Sequence, residues 1–326
     1  MSDPRLSIVL CTYNGVAFLP QQLESLLNQT RLPDEIVIGD DSSLDHTWDL
    51  LQTFAGRAQS SGVDVKLVRH ATNLGYVGNF SAMLQQATGD LLFLSDQDDV
   101  WRADKLEVMA SRFQQDRSLV LLHSDARLVD EKGDSLRAGL FESLELSEIE
   151  RQRVRADAAF DVLLRRNIVT GATAGMRRIV VEKALPIPSG WVHDEWLALV
   201  ASVIGRVDFI DEPLIDYRQH GNNQIGIQKR TWKKRLDDLL LPRAKEIGGK
   251  VARLGGFADH LRTIDPFPAH QLERVKDMQA HLLVREQIRG VRVGRLMSIW
   301  REYANGRYRR YDTGARGALR DFLRRD

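Results

Sequence analysis

Cysteine is nearly absent. Cys11 is the single one in 326 residues, so no disulfide can form within the chain, a usage that fits a reducing cytoplasm. No uninterrupted apolar run reaches the roughly 18 residues of a membrane-spanning helix. The opening MSDPRLSIVLCTYN lacks a secretory pattern, because its apolar run is short and enters a strand. The first strand-to-helix turn, CTYNGVAF, has no Gly-x-Gly-x-x-Gly, which argues against a dinucleotide dehydrogenase. No Gly-x-x-x-x-Gly-Lys-Ser/Thr occurs, so a P-loop is excluded. There is no internal repeat, no low-complexity tract and no nucleic-acid-binding motif.

What is present is an alternation of strand-like and helix-like segments. LSIVLCT (6–12), DEIVIGDD (34–41), DVKLVRH (64–70) and GDLLFLSDQDD (89–99) read as strands. Between them FLPQQLESLLNQ (18–29), DHTWDLLQTFAGRAQ (45–59, with Asp45 as cap) and VGNFSAMLQQAT (77–88) have helical spacing. This order predicts an α/β fold with a mostly parallel sheet flanked by helices. Further on, 118–130 reads as a strand pair or one long strand. Residues 166–178 read as a strand with small residues at a turn, 191–205 as a helix and 206–223 as a strand ending in a loop. Beyond 229 the pattern is helical, basic and broken by glycines. The net charge of +1 conceals a division: residues 229–326 hold 24 Lys and Arg against 12 Asp and Glu, and residues 1–228 hold 22 against 33. Two regions with different partners are expected.

In such sheets ligands bind at the carboxyl ends of strands. Three polar clusters fall there: CTYNG (11–15), GDDSS (39–43) and SDQDD (95–99). In the last, Asp96, Asp98 and Asp99 repel one another unless a positive group sits among them. A hard divalent cation would serve; a solvated acidic rim is the alternative. The stretch lacks the glycine of a calcium-binding EF-hand loop. DQDDV also fits the letters of an Asp-nucleophile phosphatase with Asp96 as nucleophile, though such sites normally follow the first strand rather than the fourth.

Taken in order, SIVLCTYNG (7–15), LNQTRLPDEIVIGDDSSLDHT (27–47), NLGYVGNF (73–80), GDLLFLSDQDDVW (89–101) and HDEW (193–196) resemble the inverting family-2 glycosyltransferases of the GT-A fold. SDQDDVW, HDEWLAL and YRQHGNN (217–223) are most similar to the bacterial rhamnosyltransferase-type branch, which builds O-antigen, lipopolysaccharide and capsule. The resemblance implies a catalytic domain over 1–228, with a nucleotide-sugar half (1–100) and an acceptor half (101–228), followed by a basic helical region (229–326). It also implies a dTDP- or UDP-linked sugar donor, a saccharide or lipid-linked saccharide acceptor, and Mg²⁺ or Mn²⁺ holding the diphosphate.

The roles that follow are the family's, placed on matching positions. Asp98 would be a metal ligand, and His220 a further ligand or a diphosphate contact, with Arg218 as a cationic alternative. Asp96 would touch the donor ribose or the metal through water; Asp99 would share the metal or cap the next segment. Asp41 would accept from the pyrimidine ring N–H, with Asp40 orienting the loop. Thr12, Tyr13 and Asn14 would wall the base pocket, and Asn73 and Gly75 would form the loop beside the nucleotide. Asp194 would be the catalytic base, with a helix cap as its alternative role and Glu195 as its substitute. His193 would orient the acceptor or sit exposed beside the cap, and TGATAG (170–175) would let an acceptor sugar approach the backbone. The basic C-terminal region has three readings: contact with anionic lipid, packing on the acidic domain or a second subunit, and a solvated face. RLMSIWREYANGRYRRY (295–311), with Trp300, Tyr303 and Tyr308 among its arginines, favours peripheral membrane contact, on the cytoplasmic face. A non-catalytic nucleotide- or glycan-binding subunit stays open as the non-enzyme reading.

Overall fold

The computed structural model describes residues 3–221, 244–288 and 292–323. The chain divides into two compact units, one of Met1–Leu163 with Asn167–Ile227 and one of Leu164–Arg166 with Gln228–Asp326. The first opens with β1 (Leu6–Thr12), β2 (Glu35–Asp40), β3 (Asp64–Arg69) and β4 (Leu91–Ser95), alternating with α1 (Leu19–Leu27), α2 (Thr47–Ser60) and α3 (Gly75–Gln86). These strands lie side by side in the order β3-β2-β1-β4, all parallel. Every residue of β1, β2 and β4 is buried, while β3, at the edge, is only partly covered. Helices on both faces demand near-continuous apolar runs in the central strands, which is how β1 and β4 read in sequence. Burying one Leu, Ile or Phe side chain there contributes about 1.5–3 kcal/mol.

Asp45 is not the cap of α2. His46 holds that position, and Asp45 instead accepts from the Thr47 N–H (3.0 Å) and hydroxyl (2.5 Å), tightening the turn before the helix. α3 starts at Gly75, whose φ of 73° suits a residue without a side chain.

Beyond β4 the sheet becomes mixed. Along the chain follow β5 (Val100–Trp101), α4 (Lys105–Gln115), β6 (Leu119–Val129), β7 (Ser135–Gly139), α5 (Leu140–Ser143), α6 (Glu148–Arg155) and α7 (Ala159–Arg165). A short 3₁₀ turn (Gly171–Thr173) then leads into β8 (Ala174–Arg177), α8 (Arg178–Ala184), α9 (His193–Ile204) and β9 (Arg206–Arg218). Residues 119–129 form one long strand rather than a pair. The full order is β3-β2-β1-β4-β8-β6-β9-β5, with β7 against β6. β8 runs antiparallel between β4 and β6, with Phe93 opposite Gly175. The turn that enters β8 therefore lies at the carboxyl end of β4, where the acids are.

The second unit is helical: α10 (Ala244–Leu261), α11 (Ala269–Gln287), α12 (Arg292–Ala304), α13 (Arg307–Tyr311) and α14 (Ala315–Leu323). Leu254, Phe257 and Leu261 of α10 and Leu272, Val275 and Met278 of α11 are buried. The part of the basic stretch at 229–243 lies outside the described residues. Among those described, no helix is long and apolar enough to cross a membrane.

Candidate active site

The three polar clusters meet. A cavity of about 810 Å³ opens at the carboxyl ends of β1, β2 and β4, and it is lined by Thr12, Tyr13, Asn14, Asp41, Asn73, Asp96, Asp98, Asp194 and His220, whereas Asp40, Asp99 and Arg218 lie outside its lining.

The β1 and β2 loops are stitched together. Asn14 has φ 48° and Ser42 φ 66°, conformations that non-glycine residues adopt at a cost. Asn14 is held by both ends: its N–H donates to Ser43 Oγ (2.9 Å) and its Oδ1 accepts from Leu44 N–H (2.8 Å). Tyr13, 41% exposed at the rim, has its backbone bracketed by Gln97, which accepts from Tyr13 N–H (2.8 Å) and donates to its carbonyl (3.1 Å). Asp40 works within its own turn, accepting from Ser43 N–H (3.1 Å), Ser43 Oγ (2.5 Å) and Thr12 Oγ1 (3.3 Å). Asp41 Oδ1 accepts from Leu74 N–H (2.7 Å) and its carbonyl from Asn73 Nδ2 (3.2 Å), so Asp41 anchors the loop that closes one side of the cavity.

The acid cluster after β4 finds two buried cations of its own. Lys105, fully buried, donates to the Ala172 carbonyl (2.7 Å) and lies 3.5 Å from the centroid of the Trp101 ring. Burial pushes its pKa well below the ordinary range, against the pull of Asp99 and Asp96. Arg218, only 2% exposed, spends its guanidinium on the Asp98 carbonyl (2.9 Å), the Glu131 carbonyl (2.9 Å) and Gln21 Oε1 (2.6 Å). It is thus a brace for the acidic loop, in place of the diphosphate contact expected for it. Asp99 Oδ1 accepts from Arg218 N–H (3.1 Å), while its buried Oδ2 has no hydrogen-bond partner among the described residues. Burial, then Asp98 and Asp96, push the Asp99 carboxyl well up. Asp98 Oδ2 pairs with His220 Nε2 at 2.7 Å, and the His220 ring lies over Phe18 with centroids 4.7 Å apart. Asp96 is pushed up to about 7 by burial first, then by Asp98 and Asp194.

Asp194 faces the same cavity from the start of α9, where acids are favoured by exposed N–H groups. It is not the cap; Val192 is. Its Oδ2 accepts from Gly171 N–H (3.1 Å) and its Oδ1 from Asn167 Nδ2 (3.2 Å). Burial raises its pKa to about 6, and the bonds from Gly171, Glu195 and Asn167 oppose that rise. The neighbouring His193 is buried rather than exposed. Its ring stacks on Phe80 (centroids 4.2 Å, 15°), burial pushes its pKa down to about 3, and neither ring nitrogen has a hydrogen-bond partner among the described residues.

The comparisons with known proteins bear on this arrangement. A sequence model of Glycosyl transferase family 2 matches residues 7–184, more than half of the chain. The chain belongs to this family. An uncharacterized glycosyltransferase of Nostoc sp. is 29% identical over 234 residues, 70% of this chain and 69% of that one. Among solved structures, S. aureus TarS in complex with UDP-GlcNAc superposes with a TM-score of 0.56 at 17% identity, over 90% of this chain and 75% of that one. The Pyrobaculum calidifontis mannosyltransferase in complex with GDP-Man and Mn²⁺ gives 0.52 at 16% identity, over 99% of this chain and 86% of that one. The shared architecture is the GT-A glycosyltransferase fold, a mixed sheet flanked by helices.

In this family-2 glycosyltransferase four positions at the site receive no role of their own from the motifs: Gln97 and Gly171, which sit inside SDQDD and TGATAG, and Lys105 and Asn167, which sit outside any. Lys105 still leaves a mark in the sequence, because it opens an i, i+4, i+8 stripe whose other members, Met109 and Phe113, are apolar and buried. Gly171 is required by close approach. A Cβ there would lie 2.7 Å from His193 Nε2 and 3.6 Å from Asp194 Cβ. Gly171→Ala is therefore expected to displace the stacked His193 ring and loosen Asp194. The expected loss is about 1–3 kcal/mol in denaturant unfolding, together with a fall in turnover larger than the fall in nucleotide affinity.

Proposed function

We propose that this glycosyltransferase moves one sugar from a dTDP- or UDP-linked donor to a hydroxyl of a saccharide or lipid-linked saccharide, with inversion, as an enzyme of rhamnosyltransferase type in bacterial surface polysaccharide synthesis. The observation that carries the reading is one cavity lined both by the Asp96–Asp98 acids and by Asp194, a carboxylate raised to about 6. The acceptor oxygen attacks the anomeric carbon from the face opposite the diphosphate. Its proton passes to Asp194, and the bond from the anomeric carbon to the diphosphate oxygen breaks. A general base works best with a pKa near the operating pH, and burial moves Asp194 that way. Burial keeps His193 neutral, and its ring packs on Phe80 and beside Gly171 in the cavity wall.

The donor set fits a divalent cation that arrives with its nucleotide. Burial and the Asp98 and Asp194 charges raise Asp96, a strain that a cation relieves. Among the described residues no three His, Cys, Asp or Glu side chains form a ready metal cage. Mg²⁺ typically takes one or two carboxylates and completes its shell with phosphate oxygens and water. Asp98 and Asp96 would hold it, with His220 joining if its pairing with Asp98 opens, and when bound it would neutralise the leaving diphosphate. Asp41 would give its second oxygen to the pyrimidine N–H, and Thr12, Tyr13, Asn14 and Asn73 would surround the base.

Calorimetric titration of UDP and dTDP, each with Mn²⁺ and with EDTA, tests the donor site. Micromolar binding that requires the cation is expected, and the tighter nucleotide names the donor base. Absence of binding to both nucleotides in either condition would overturn the assignment.

A further inference from the structure

The second unit carries a surface that the transferase chemistry does not use. α12 shows Leu296 (49% exposed), Met297 (78%), Trp300 (71%) and Tyr303 (44%) to solvent. At 100° per residue these four form one stripe, with Arg301 along its edge. The other side of the same helix is satisfied: Ile299 packs with Ile288 and Tyr308, and Glu302 is buried. Tyr308, read from sequence as part of an interfacial segment, is instead core. It is fully buried, with its hydroxyl donating to Asp321 Oδ2 (2.8 Å).

Charge in the segment that carries this stripe is sorted. Residues 292–323 contain eight arginines and three acids. All three acids turn inward: Glu302 to His281 Nδ1 (2.6 Å) and Arg307 (3.1 Å), Asp312 to Arg285 and Arg320 (both 2.7 Å), and Asp321 to Arg285 Nε (2.6 Å). Arg301, Arg309 and Arg316 are exposed and form no ion pair among the described residues. The exposed, unpaired charge of this segment is thus wholly positive, and Arg301 among it borders the aliphatic and aromatic stripe.

We propose that this face docks on an anionic lipid bilayer, with Leu296, Met297, Trp300 and Tyr303 entering the interface and the arginines meeting acidic headgroups. Trp and Tyr settle at the boundary between headgroup and acyl chain, and basic residues are attracted to acidic lipid. Charge complementarity selects this occupant. A second copy of the same face would bring unpaired arginines together, and a polyanion without acyl chains would leave Leu296 and Met297 in water. The face lies on the helical unit, and its docking does not rest on the donor-site reading.

The test is co-sedimentation of the full chain with vesicles of phosphatidylglycerol and phosphatidylcholine, and with phosphatidylcholine alone. Binding to the acidic vesicles only is expected. Arg301→Gln, Arg309→Gln and Arg316→Gln together should weaken it on the order of 100-fold, from about fivefold per arginine. Met297→Ser with Trp300→Ser should also release the protein while nucleotide titration stays as in wild type, because these side chains are exposed and neither lines the cavity. Equal binding to both vesicles, or acidic binding untouched by either set, overturns the proposal. So does self-association on sedimentation that Met297→Ser with Trp300→Ser abolishes, in the absence of vesicle binding.

Discussion

Asp194→Asn is expected to lower kcat by about 10²–10⁴-fold while donor binding stays within about threefold of wild type, because a base is lost and the nucleotide loops are untouched. The same variant should lose a limb of the pH profile. In the wild type kcat/KM should rise with unit slope as pH climbs through about 6 and level off above it, since only the ionised carboxylate accepts a proton. Glu195→Gln should keep both the limb and most of the rate; if that variant erases the limb and Asp194→Asn does not, the base is Glu195. Stability provides an independent readout. Folding raises the Asp194 pKa from its ordinary 3.8 to about 6, so the folded state disfavours the charge. Stability from this group is full below the ordinary value and declines as pH rises toward 6. At pH 8 the charge costs about 3 kcal/mol. Asparagine removes that cost but accepts only one of the two bonds from Gly171 N–H and Asn167 Nδ2, a loss of about 1 kcal/mol. The variant should therefore unfold at equal or higher denaturant than wild type at pH 8, and differ from it least near pH 4. Inactivity with raised stability marks a residue kept for chemistry.

How much of this was legible depends on how local the cause is. The first four strands follow from apolar runs between polar ends, and parallel pairing then places CTYNG, GDDSS and SDQDD on one edge without further information. Asp194 stands out in sequence through its match to the family's HDEW stretch, a short-range pattern, and the structure lines the cavity with it. The partners of Asp194 were not legible. Asn167 and Gly171 reach it only because β8 turns antiparallel against β4, and the register that sets Phe93 opposite Gly175 is written in no window of sequence. Arg218 was misread for a related reason. An arginine beside acids suggests an anion contact, but its acceptors are Gln21 Oε1 and the carbonyls of the Asp98 and Glu131 loops, and backbone acceptors have no residue code. His193 reads as a rim residue from its polar neighbours. Phe80 covers it, and that contact depends on how α3 and α9 approach one another. The balance of the acid cluster shows the same limit. A cation among the three carboxylates was expected, and the chain itself supplies part of the compensation through Lys105.

Asp98→Ala should abolish cation-dependent nucleotide binding, with affinity in Mn²⁺ falling at least about 100-fold and becoming indifferent to EDTA. Loss of one charge-assisted pair would cost less; the larger fall is expected because, in the proposed donor site, Asp98 would join cation to diphosphate. His220→Gln separates the two contributions. Glutamine can still bond to Asp98 and leaves the carboxylate in place, so a fall of at most about tenfold is expected if His220 positions Asp98. A fall as large as that of Asp98→Ala would make His220 a direct ligand. The unliganded protein gives the opposing sign. Asp98 contributes to raising both Asp96 and Asp99, so its removal relieves repulsion while losing the 2.7 Å pairing with His220. In EDTA the variant should melt within about 3 °C of wild type. Adding Mn²⁺ and nucleotide should then raise the wild-type melting temperature and leave that of the variant unmoved, because stabilisation by mass action requires binding. A variant that melts far below wild type in EDTA would show that the acidic loop is held together by Asp98 rather than strained by it. The carboxylates would then be structural, and the cation would have no reason to come to them.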